Sequence, residues 1–163
     1  MAERLKGKVA VVTGASRGIG RATALALARE EAHVVVTART RPDLEELVRE
    51  IELLGVQGLA VPADVSQEEG VERLKEKTLS AFDQVDILVN NAGVGKVGDQ
   101  GPLHLLSVQD YDWMMNTNMR SSFLCTKAFL PEMLERREGW IVFVASVAGL
   151  KGLANHQTVY CAS

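Results

Sequence analysis

Three glycines stand at i, i+4 and i+6 in Thr13-Gly14-Ala15-Ser16-Arg17-Gly18-Ile19-Gly20, between a short apolar run and an Ala- and Leu-rich stretch. Glycine lets backbone approach a phosphate closely, and a helix starting here turns unpaired N–H groups and the positive end of its dipole to the same point. The chemistry expected of Gly14, Ser16, Arg17, Gly18, Ile19 and Gly20 is therefore the holding of a pyrophosphate. The spacing departs from the usual i, i+2, i+5, and a turn needed only for tight strand-to-helix packing is the plainer alternative. The next apolar run ends in Thr37-Ala38-Arg39-Thr40-Arg41, which offers no carboxylate to a ribose. Arg39, with Arg17, instead brings guanidinium forks suited to a 2′-phosphate, whereas Arg41 reads as a solvated charge.

Those residues need elements to position them, and the chain supplies an alternation of short apolar runs with longer amphipathic ones. Residues 9–12, 34–37, 59–61, 86–89 and 140–145 read as strands rich in β-branched residues. Helices are expected over 20–31 and from Pro42 through Leu44, Leu47, Val48, Ile51 and Leu54 to a stop at Gly55. A third follows a Ser66/Glu69 capping box, with Val71, Leu74 and Phe82 inward. A fourth starts at a Ser107/Asp110 box and runs to about Arg136, with Pro131 kinking it or marking its last turn. A loop carries Gly93, Gly95, Gly98 and Gly101, and the remainder up to Ser163 reads as loop. Strands separated by helical crossovers describe a Rossmann-type α/β fold, a doubly wound parallel sheet with helices on both faces, in one domain over 1–163. Ligands of such sheets sit beyond the carboxyl ends of the strands, where Gly14, Arg39, Asp64, Asn91 and Ser146 all fall.

Composition narrows the function classes. The 163 residues are 47% hydrophobic and 24% charged, with 18 Lys and Arg against 21 Asp and Glu, a net charge of −3. That lacks the positive field of a phosphate-tracking protein, so no nucleic-acid partner is expected. No run approaches a membrane span and no signal-peptide layout opens the chain, so no membrane partner is expected and a cytoplasmic location is. Cys125 and Cys161 form neither a disulfide framework nor a metal pair, and His33, His104 and His156 lack metal spacing and read as surface or loop residues. Met114, Met115, Met119 and Met133 are expected to pack the long helix, and the acidic run 43–52 to form a solvated face.

Taken together, Thr13-Gly14-x-x-x-Gly18-Ile19-Gly20, Asp64-Val65, Asn90-Asn91-Ala92-Gly93, Asn118, Ser146 and Tyr160 occur in the order seen in the short-chain dehydrogenase/reductase family, which the whole chain resembles. The first half is somewhat like the 3-oxoacyl carrier-protein reductases, and also like sugar, steroid and small-alcohol relatives. The resemblance implies hydride transfer between a nicotinamide cofactor and a small-molecule carbonyl or alcohol, with NADP(H) favoured over NAD(H) on Arg17, Arg39 and the missing carboxylate. It implies that Asp64 and Val65 form the adenine pocket, that Asn91, Ala92 and Gly93 run beneath the adenine-side ribose, and that Asn90 supports the sheet. Asn118 would hold a proton-relay water, Ser146 would hydrogen-bond the substrate oxygen, and Tyr160 would be the general acid and also contact the cofactor. A homo-oligomer is implied for full-length members.

A phenol of ordinary pKa near 10 needs a neighbouring cation to serve as a base at neutral pH. In the family that cation is a lysine four residues after the tyrosine, whereas this sequence reads Tyr160-Cys161-Ala162-Ser163. The expectation is accordingly a chain truncated just before that lysine, its C-terminal strands missing, with little or no activity by itself and an apolar edge exposed from Trp140 to Val144. The alternative is a catalytically silent nucleotide-binding module or truncated pseudoenzyme.

Overall fold

The computed structural model describes residues 4–95, 103–151 and 158–163. Five strands, β1 (Val9–Thr13), β2 (His33–Ala38), β3 (Gly58–Pro62), β4 (Ile87–Asn90) and β5 (Trp140–Phe143), form one sheet in the order β3-β2-β1-β4-β5. Every pairing is parallel. After β3 the chain crosses to the other side of β1, and this reversal opens a crevice at the carboxyl ends of β1 and β4.

Alternation along the strands divides the core between two faces. Ala10 and Val12 of β1, Val34 and Val36 of β2 and Ile87 and Val89 of β4 pack beneath α1 (Gly18–Arg29) and α2 (Arg41–Glu52). Val9, Val11, Val35 and Leu88 pack against α3 (Glu68–Phe82) and α5 (Ser121–Arg136). α1 meets the sheet through Ala24 and Ala28, whose small side chains allow close approach, and α2 through Leu44, Leu47 and Ile51. Leu54, expected on that face, is exposed beyond the end of α2.

The segment expected as one long helix is interrupted. α4 (Val108–Met115) passes into a π-helical turn, Asn116–Arg120, before α5 resumes and runs past Pro131 to Arg136. The wider turn rotates residues out of α-helical phase, so Met114 and Met133 are buried while Met119 is half exposed. The Ser107 cap forms as expected, its Oγ accepting from the Asp110 N–H at 3.0 Å. The Ser66/Glu69 box does not form: α3 starts after Gln67, and no side chain caps it. The stretch expected as loop after β5 holds a 3₁₀ turn, Val147–Gly149, and a short helix, α6 (Thr158–Ala162).

Away from the crevice, His33 is not a loop residue. It opens β2 half-buried, stacks on Phe82 and accepts a hydrogen bond on Nδ1 from the Gln57 N–H. His104 lies in an exposed 3₁₀ turn, while His156, Gly98 and Gly101 lie outside the described residues.

Candidate active site

β1 ends in a buried threonine that organises the site. Thr13 Oγ1 accepts from the Asn91 and Ala92 N–H groups, both at 2.9 Å, and donates to the Val89 carbonyl at 3.3 Å. The glycine turn is thereby tied to the segment after β4. Asn91 completes the tie, its Nδ2 donating to the carbonyls of Thr13 at 2.9 Å and Gly14 at 3.2 Å. A Cβ on Gly20 would stand 2.4 Å from that Nδ2 and 2.5 Å from Gly14 O, and one on Gly14 would stand 2.8 Å from the Ala92 Cα. These two glycines satisfy close packing, the plainer reading. Gly18 shares the left-handed backbone of Gly14, with φ of +58° against +63°, but differs in having open space in front of it.

Arg17 is the N-terminal flank of α1 and caps it with no side chain, and no acidic residue occupies the first turn. The leading N–H groups of α1 and the positive helix end therefore face outward uncompensated, beside the open space at Gly18. This is a cradle that an anion fits and an added side chain would spoil.

A cleft of about 670 Å³ begins there and runs along the carboxyl ends of the strands. Such a volume suits a cofactor with its substrate. Of the candidate residues, Gly14, Ser16, Arg17, Ile19, Arg39, Asp64, Val65, Asn91, Ala92, Gly93, Asn118, Ser146 and Tyr160 line this one cleft. Gly18 and Gly20 are not among the lining residues. Asp43 and Ser66 also line it, and sequence reasoning missed both. Asp43 matters because, although 37–41 holds no carboxylate, this one stands close by in the first turn of α2 and lines the same cleft. Its signal was its place two residues after Arg41, hidden among the acidic residues of a solvated helix face.

At the other end, the π turn presents Asn118. Its Oδ1 accepts from the Val94 N–H at 2.7 Å, and its Nδ2 donates to the Val94 carbonyl at 3.0 Å and to Ser163 Oγ at 2.8 Å. The side chain thus braces the strand-end loop against the Tyr160 helix, and Oδ1 keeps one lone pair. Ser146 Oγ accepts from the Ala148 N–H at 3.2 Å, which leaves its hydroxyl hydrogen free to donate into the cleft. Asn90 supports the sheet as expected, its Nδ2 donating to Thr126 Oγ1 at 3.1 Å. Among the described residues no three His, Cys, Asp or Glu side chains converge as metal ligands, and no helix is long and apolar enough to cross a membrane.

A doubly wound sheet with a glycine turn at its reversal point and polar residues along the strand ends defines a dinucleotide-binding class of fold. The short chain dehydrogenase family model matches residues 8–163, so the chain belongs to the short-chain dehydrogenase/reductase family. Sepiapterin reductase of Chlorobaculum tepidum is 37% identical over 95% of this chain and 65% of its own length. A 3-oxoacyl-[acyl-carrier-protein] reductase of Synechocystis is 41% identical over 91% of this chain and 59% of its own. Among solved structures, a short-chain oxidoreductase of metagenomic origin in complex with NADP superposes with a TM-score of 0.90 at 39% identity, covering 97% of this chain and 70% of that one. A putative short-chain alcohol dehydrogenase from Sinorhizobium meliloti 1021 gives a TM-score of 0.91 at 36% identity, covering 100% of this chain and 63% of that one. The chain spans 59–65% of the length of these curated relatives.

Proposed function

We propose that residues 1–163 are a single dinucleotide-binding domain serving an oxidoreductase that moves a hydride between NADP(H) and a ketone or secondary alcohol. One observation carries the reading: Arg17 and Arg39 at one end and Asn118, Ser146 and Tyr160 at the other line the same cleft. The NADP complex of a structural neighbour and the reductase names of the relatives support it. The α1 N-terminus would take the pyrophosphate, Arg39 and Arg17 the 2′-phosphate, and Asp64 with Val65 the adenine. The bound nicotinamide would supply or accept the hydride.

The chain's own residues handle the proton. Ser146 donates its hydroxyl hydrogen to the substrate oxygen and so orients it. Tyr160 Oη passes its proton to that oxygen in reduction and takes it back in oxidation. Asn118, through its lone pair on Oδ1, can hold the water that resupplies Tyr160. A homo-oligomer belongs to the same reading, supported by Val108, Tyr111, Met119 and Phe123, which stand exposed along α4, the π turn and α5.

Among the described residues, the basic side chains lining the cleft are Arg17 and Arg39, both at the glycine-turn end. Among the described residues no basic side chain lines the Tyr160 end of the cleft, which favours cofactor binding with little or no turnover by this stretch alone. Two measurements test the reading. NADPH titrated into the chain should bind saturably with quenching of Trp113 or Trp140, or with a change in nicotinamide emission. The protein expressed from its full reading frame should oxidise NADPH with a ketone and be nearly silent as Tyr160→Phe. Turnover that survives Tyr160→Phe would remove the proton-transfer role, and absence of NADPH binding would remove the whole proposal.

A further inference from the structure

Ser66 spends its hydroxyl in an unexpected place. It precedes α3 where a serine ordinarily caps the helix, yet the helix is left uncapped. The Ser66 Oγ–H donates instead to Asp64 Oδ1 at 2.7 Å, and the Ser66 N–H donates to the same oxygen at 3.0 Å. Gln67 Nε2 donates in turn to Ser66 Oγ at 3.1 Å. Ser66 is 8% exposed, so this chain of donors is shielded, whereas Asp64 stands at the surface of the cleft. Both donors fall on one carboxylate oxygen. Among the described residues Oδ2 has no hydrogen-bond partner.

The backbone of Asp64 is held as firmly. Its carbonyl accepts from the Gln67 N–H at 3.2 Å, and a Cβ on Gly70 would lie 2.0 Å from the same carbonyl oxygen. Only glycine lets the first turn of α3 come this close. Main chain and side chain of Asp64 are thus both fixed by the three residues Ser66, Gln67 and Gly70, none of which the proposed reaction uses.

We infer that Ser66 is a positioning residue that makes Asp64 read the exocyclic amine of the cofactor's base. A carboxylate free to rotate offers lone pairs in many directions. One whose Oδ1 is saturated presents Oδ2 alone, an acceptor that pairs with the adenine N6–H₂ donor and opposes the 6-oxo acceptor of hypoxanthine. This rests on the reading that the adenine binds at Asp64. It adds that the choice between purines is set from behind, by Ser66.

The experiment compares Kd for NADPH and for its 6-oxo, hypoxanthine analogue, by nicotinamide fluorescence, in the chain and three variants with matched near-UV circular dichroism. The unsubstituted chain is expected to prefer NADPH by roughly tenfold. Asp64→Asn, whose amide N–H can meet the 6-oxo group, should narrow that ratio. Ser66→Ala should reduce it to about twofold to threefold, mainly by weakening NADPH, and Ser66→Thr, which keeps the hydroxyl, should restore it. Equal binding of the two cofactors by the unsubstituted chain, or a ratio untouched by Asp64→Asn, would remove the adenine reading and the inference with it. A full ratio in Ser66→Ala alongside a narrowed one in Asp64→Asn would overturn the inference and leave the adenine reading standing.

Discussion

Ala38 closes β2 at the rim of the cleft, one residue before the exposed guanidinium of Arg39. A carboxylate at 38 would accept from ribose hydroxyls and repel a 2′-phosphate, so the two dinucleotides should exchange rank. Ala38→Asp is expected to shift the NADPH/NADH affinity ratio toward NADH by at least roughly tenfold, measured by competitive titration. An unchanged ratio would place the ribose pocket elsewhere, with Asp43 as the first residue to consider. Cys125 tests the core in the same residue-by-residue way. Fully buried in α5, its thiol is pushed up to about 12 from 9.0 by desolvation. The folded chain therefore holds a proton that the unfolded chain loses above pH 9.0. The stabilisation is complete below that value and is lost as pH rises toward about 12, at up to about 1.4 kcal/mol per unit. Lys8, whose pKa is raised from 10.5 chiefly by its hydrogen bond to Glu138, loses its own contribution only above that value. Urea unfolding between about pH 8 and 10 should thus show stability falling with pH, and a shallower fall in Cys125→Ala despite its lower starting stability.

Elements differ in how openly they are written. Ser66/Glu69 and Ser107/Asp110 carry the same capping pattern, yet only the second forms: α3 starts after Gln67, and Ser66 Oγ accepts from Gln67 Nε2 while its hydrogen goes to Asp64 Oδ1. A pattern read by spacing alone does not weigh such rival local partners. The π turn was hidden for a related reason: apolar periodicity holds on both sides of residues 116–120, and one wider turn leaves no composition signal. That turn is what brings Asn118 to Val94 and Ser163. α6, five residues long, is too short to show a period at all. The Ser107 cap, being real, should be measurable. Its Oγ accepts from the Asp110 N–H and donates to Asp110 Oδ2 at 2.6 Å, so Ser107→Ala should cost about 1 kcal/mol. The corresponding fall in Tm is about 2–4 °C, read by thermal melts, while cofactor affinity stays as it was. An equal loss of affinity would mean that α4 is coupled to the cleft.

At the scale of the whole molecule, the sheet was legible because β1, β2 and β4 are apolar along both faces and are in fact buried on both. Gly14, Arg39 and Asn91 could be proposed from the sequence because they follow those strands, whereas Asn118 and Tyr160 stand on helical turns that strand logic does not reach. β5 shows the limit of that logic. Trp140-Ile141-Val142-Phe143 is as apolar as β1, but burial depends on what lies alongside, and a strand's own composition does not report its neighbours. Ile141 turns to the α5 face and packs there, whereas Trp140 and Val142 pair with Ile87 and Val89 and share the face that α1 and α2 cover farther along. Among the described residues neither joins a core cluster, and they are 50% and 46% exposed. An edge strand with bare backbone on one side and apolar side chains on one face is a template for pairing with another chain. Residues 1–163 in isolation should accordingly self-associate, with sedimentation that depends on protein concentration. Val142→Lys sets a charge in the middle of that face and should raise the midpoint concentration for association by at least about tenfold. It leaves the cleft intact, so NADPH binding should not change. Phe123→Lys, on the exposed side of α5, separates the two apolar surfaces: dissociation by Phe123→Lys with none by Val142→Lys would show that the copies meet through α5 and that β5 is protected some other way.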